Sequence, residues 1–106
     1  MPKFLIEASY RVDGVKGVMK DGGSGRRSAA QKAVESVGGK LEAFYFTFGD
    51  HDAILIADVP DVTAIMALSL AVNGSGAVKA RTTPLISVEE VDAAVKKTVG
   101  YRAPGA

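Results

Sequence analysis

The densest hydrophobic signal in the chain lies at residues 40–61, KLEAFYFTFGDHDAILIADVPD, which reads as two strands around a polar turn. Over 41–48, Phe44, Phe46 and Phe48 alternate with Leu41, Ala43, Tyr45 and Thr47. A turn at Gly49-Asp50 leads into 53–57, where Ile54 and Ile56 oppose Ala53, Leu55 and Ala57. Strands that are apolar on both faces are expected in the centre of a sheet, covered on both sides.

The remaining segments follow the same two periods. Phe4, Ile6, Ala8 and Tyr10 alternate with Lys3, Leu5, Glu7 and Ser9, which is strand spacing. Val15, Val18 and Met19, and after a glycine break Ala30, Ala33, Val34 and Val37, fall on one face of an amphipathic helix that Gly38-Gly39 ends. Asp61 is the expected cap of a second helix, stopped at Asn73-Gly74 and so apolar throughout that burial on most sides is expected. Residues 78–86 form a strand whose polar face carries Lys79, Arg81 and Thr83, as an edge or interface strand would. Ser87 and Glu90 spell a capping box ahead of a valine stripe, Val88, Val91, Val95 and Val99.

This βαββαβ order with a C-terminal helix predicts an α+β, ferredoxin-like fold. A single domain is expected, with its core over 3–86, the last helix over about 87–99 and a tail at 100–106. Both crossover helices of that plan lie on one face of the sheet. The other face needs a cover, and a second copy closing into a dimeric α/β barrel is the expected one. The third helix folding back over the sheet is the alternative.

Composition narrows the function classes. There is no cysteine among the 106 residues, so no disulfide or thiolate metal site is available. The apolar run at 62–72 is about half of the ~20 residues a membrane span needs, and the N-terminal run is too short for a signal peptide, so a soluble, cytoplasmic protein is expected. The net charge of +1 argues against nucleic acid as partner. Charge is nonetheless divided. Residues 1–40 hold eight Lys/Arg against four Asp/Glu, whereas 41–78 hold five acids and no base. Such a division can steer two copies together or draw a charged ligand.

The start FLIEASY, the stretch VGGKLEAFYFTFGDHDAILIADVPD and the segment ALSLAVNGSGAVKART together resemble the GYD-domain family of small bacterial and archaeal proteins, over roughly residues 3–86. The family's glycine and aspartate are matched by Gly49 and Asp52, and His51 stands where its tyrosine is usual. The resemblance implies a ferredoxin-like, dimeric α/β-barrel fold and no established activity.

Three groups of residues are candidates for chemistry. His51, the only histidine, lies between Asp50 and Asp52, and an imidazole with carboxylate neighbours can act as a general acid or base, with Asp52 orienting it. The same residues also suit a hairpin corner for turn reasons alone, and one histidine with carboxylates is a poor metal set, so no metal is expected. The run Asp21-Gly-Gly-Ser-Gly-Arg26-Arg27 places two guanidinium groups after a flexible helix entry suited to an anion, or simply hinges two helical pieces. Tyr10, Arg11, Tyr45 and Arg81, with the phenylalanine row, can line a cavity for a small anionic or aromatic ligand, or belong to core and edge. The expected function is a homodimer that binds a small ligand or partner. The alternative is an enzyme of the barrel monooxygenase or isomerase kind using His51.

Overall fold

A computed structural model describes all of residues 1–106. In chain order the elements are β1 (Lys3–Tyr10), α1 (Val12–Ser36), β2 (Lys40–Phe46), β3 (Ala53–Asp58), α2 (Val62–Gly74), β4 (Val78–Leu85) and α3 (Val88–Val95). The strands form one antiparallel sheet in the order β2-β3-β1-β4. This is the ferredoxin-like α+β arrangement, with α3 appended.

Residues directly opposite one another in an antiparallel sheet share a face. The rows Leu41–Ala57–Phe4–Pro84, Phe44–Leu55–Ile6–Thr82 and Phe46–Ala53–Ala8–Ala80 point toward the helices. There Phe4, Ile6 and Leu55 pack with Val34 of α1, with Val59, and with Ile65 and Leu68 of α2 to form the core. The rows Ala43–Ile56–Leu5–Thr83 and Tyr45–Ile54–Glu7–Arg81 point the other way, onto a face that no helix covers.

β2 departs from expectation in three ways. It is an edge strand rather than a central one, because this topology gives the centre to β3 and β1. Its register shifts between Leu41 and Ala43, and the extra residue Glu42 returns Leu41 to the same side as Phe44, against simple alternation. The strand also stops at Phe46, so the connection is a loop over 47–52 and Phe48 is fully exposed.

α1 spans the glycine run as one helix with a break at Gly22, whose φ of 72° and ψ of 173° suit glycine alone. The two pieces hinge there, as the glycine-rich sequence suggests. α2 starts as expected. The Asp61 carboxylate accepts a hydrogen bond from the Ala64 amide at 2.8 Å, and replacing it by alanine should cost about 1 kcal/mol in urea unfolding with an unchanged m-value. Burial of α2 is less than its sequence suggests: Ala64, Ile65 and Leu68 are buried, but Val62, Met66 and Leu70 lie exposed on the outer side. A helix apolar all round still has only one side toward a single sheet.

α3 carries the expected capping box between Ser87 and Glu90. It does not fold back over the open sheet face. None of its residues is buried, and Val88, Val91 and Val95 remain exposed, as does Val99 beyond it. The radius of gyration is 17.0 Å, against about 13 Å for a compact chain of this length, because the C-terminal segment stands away from the body.

Candidate functional site

Two places bring chemistry-bearing residues together, one on each side of the sheet. On the open face, β1 alternation sets Glu7 and Ser9 side by side, and the 47–52 loop hangs His51 over them. The loop is held by backbone bonds from Thr47 to the Asp52 carbonyl at 2.7 Å and from the Asp52 amide to the Ala8 carbonyl at 2.8 Å. The Thr47 hydroxyl adds a bond to the His51 carbonyl.

His51 Nε2 lies 3.1 Å from a Glu7 carboxylate oxygen, and Nδ1 lies 3.5 Å from the Ser9 hydroxyl. With Nε2–H donating to Glu7, Nδ1 is left as an acceptor toward Ser9. An imidazole held in this way can take a proton from a hydroxyl or a bound ligand. Asp52 does not make this contact. Its carboxylate accepts from the Tyr10 amide at 2.7 Å, tying the loop to the end of β1, while Asp50 is exposed. The carboxylate that orients His51 is Glu7.

Glu7 and Ser9 were absent from the candidates read from the sequence, yet a signal was present. Glu7 interrupts an otherwise apolar stretch of β1, and a charged residue in mid-strand calls for a partner. Its cross-strand neighbours are Ile54 and Arg81, with Tyr45 beyond Ile54, so two of the expected ligand residues share its row. At the far end of the same face, Lys3 Nζ bonds to Asp58 and Glu42, both at 2.8 Å. These bonds, first that to Asp58 and then that to Glu42, raise the lysine above its ordinary 10.5.

On the helix side, α1 lies against β2 and α2 against β4, leaving a cleft between the helices whose floor is the middle of the sheet. The cleft holds a cavity of about 130 Å³. Ile6, Ala8, Ala53 and Leu55 form its floor, Ala30 and Ala33 one wall, and Leu68 and Val72 the other. The alanines are the reason for the space. Tyr10, Arg26, Ser69 and Thr82 also line it, and they supply the polar groups.

Arg26 and Tyr10 therefore meet at the cleft, Tyr45 and Arg81 belong to the opposite face, and Arg11 is exposed ahead of α1. Arg27 lies apart from Arg26, in a shallow hollow with Gly23, Ser24, Phe44 and Phe46. No three of His, Asp and Glu gather closely enough to hold a metal ion. No helix is long and apolar enough to cross a membrane.

The sheet order, the crossover helices on one face and the open second face define a small ferredoxin-like α+β domain. The family model for the GYD domain matches residues 4–95, and the chain belongs to that family. The match reaches beyond the residues 3–86 that carry the resemblance in the sequence and takes in α3. No curated protein matches the chain. No solved structure matches it either.

Proposed function

We propose that this GYD-domain protein is a homodimeric module that binds a small ligand in the cleft between α1 and α2. The carrying observation is the cavity of about 130 Å³, floored by the sheet and walled by alanines, with a few polar groups at its lining. An aliphatic cavity of about 150 Å³ accepts benzene, so this one suits a single ring or a branched chain of similar bulk. The second copy is assigned to the opposite side, where Leu5, Ile54, Ile56 and the exposed Tyr45 lack a cover.

Titration with benzyl alcohol, followed by amide and methyl resonances, tests the cleft. Shifts concentrated at Ala30, Ala33 and Leu68 are expected, and Ala33→Leu should remove them while leaving the rest of the spectrum in place. Shifts spread evenly over the surface, or retained in full by a folded Ala33→Leu protein, would sink the reading.

One observation favours a second reading, acid–base catalysis on the open face: the Glu7–His51–Ser9 contact. Under that reading any turnover found for the protein is lost in a folded His51→Gln protein. A His51→Gln variant as active as the wild type removes it.

A further inference from the structure

The chemical class of the ligand follows from where Arg26 sits, an inference that rests on the reading of the cleft as a binding site. The cleft is apolar almost throughout, and its hydroxyls, from Tyr10, Ser69 and Thr82, are neutral. Arg26 is the one charged residue that lines it. Its side chain is about two-thirds covered, at 31% exposure, and so is partly withdrawn from water.

That head is held within the protein only by one long ion pair. Its nearest carboxylate, Asp21, stands at 3.9 Å, beyond hydrogen-bond distance, and Arg26 makes no side-chain hydrogen bond. Asp21 is itself on the far side of the Gly22 break, on the first piece of α1. A guanidinium presents a planar fork of donors that matches a carboxylate with two parallel bonds. An apolar chamber large enough for one ring, with a guanidinium free of hydrogen bonds at its lining, matches a molecule built the same way round.

We propose that the cleft takes a small apolar carboxylic acid, its ring or branched chain against Ala30, Ala33 and Leu68 and its carboxylate on Arg26. Asp21 then competes with the ligand for the same head. The other charged groups near the helix side do not serve, since Arg27 lies in a separate hollow and Arg11 is exposed before α1 begins.

Benzoate and benzyl alcohol share a ring and differ in charge, which separates this inference from the reading beneath it. In the wild-type protein both are expected to move the cleft resonances, with benzoate binding at least about tenfold tighter, the gain of charged hydrogen bonds over neutral ones. Arg26→Gln should bring benzoate down to about the affinity of the alcohol, with a far larger loss for benzoate than for the alcohol. Asp21→Asn should tighten benzoate alone, and it provides the check if Arg26→Gln does not fold. Equal affinity for the two probes, or benzoate binding indifferent to both substitutions, overturns the acid while the cleft remains a site for neutral molecules. If neither probe moves the cleft resonances, both readings fall.

Discussion

Gly39→Ala is expected to destabilise the protein by about 3 kcal/mol, the upper end of what overpacking a filled site costs. Gly38 first turns the chain out of α1 with φ of 83°, which suits glycine, and Gly39 then enters β2. The difficulty at Gly39 is one of space. A β-carbon there would lie 2.5 Å from the Asp58 carbonyl oxygen, 2.9 Å from a Val34 methyl and 3.0 Å from a Val59 methyl. Val34 and Val59 are the two largest fully buried side chains, so neither can swing aside into open volume. Nor can the carbonyl retreat, because Asp58 closes the β3 register against Lys3 and Lys40. Urea unfolding should show a lower midpoint with an unchanged slope. A midpoint within error of wild type would mean that β2 enters the sheet less tightly than described. Gly49, with nothing near its would-be β-carbon, is the matched control.

Against the proposed dimer, Ile54→Asp is expected to give a folded monomer. Ile54 lies on the open face between Tyr45 and Glu7, so the new carboxylate lands beside an existing one. In a single chain this face is open, and facing like charges cost up to about 1 kcal/mol. Between two apposed sheets each copy would desolvate two like charges in one row, a penalty of several kcal/mol that weakens association by a thousandfold or more. Native mass spectrometry or sedimentation reads the outcome directly. A wild-type monomer would remove the dimer, and an Ile54→Asp protein that still dimerises would place the contact elsewhere, with the Val62, Met66 and Leu70 stripe of α2 the next surface to alter.

Much of the architecture was legible because it rests on local signals. The alternation of β1, the Asp61 cap and the Ser87–Glu90 box are each decided within a few residues, and each is present in the structure. What the sequence misplaced depends on partners far along the chain. The greasiness of β2 suggested a central strand, but centrality is a matter of neighbours, and the neighbour on its outer side does not exist within this chain. The bulge at Glu42 has no local marker, since Glu42 is drawn to Lys3, 39 residues away in sequence. The site shows the same division. His51 stood out by its rarity, whereas its actual partner, Glu7, becomes visible only when β1 and the 47–52 loop are brought together. Arg26 was singled out beside Arg27 as half of an anion-binding pair. As consecutive residues on one helical piece they point about 100° apart, and only Arg26 reaches the cleft.

If the proposed second copy also covers the detached α3, that helix becomes a gauge of the chain's own concentration. Helices of eight residues seldom persist in water, and a capping box offsets only a small part of the ordering cost. A single chain therefore gains little by keeping residues 88–95 helical, while any surface that covers their valines adds roughly 1.5 kcal/mol for each one buried. On dilution the helical signal of this segment should then fade with the proposed dimer, while the strands, held by their own ladders, keep theirs.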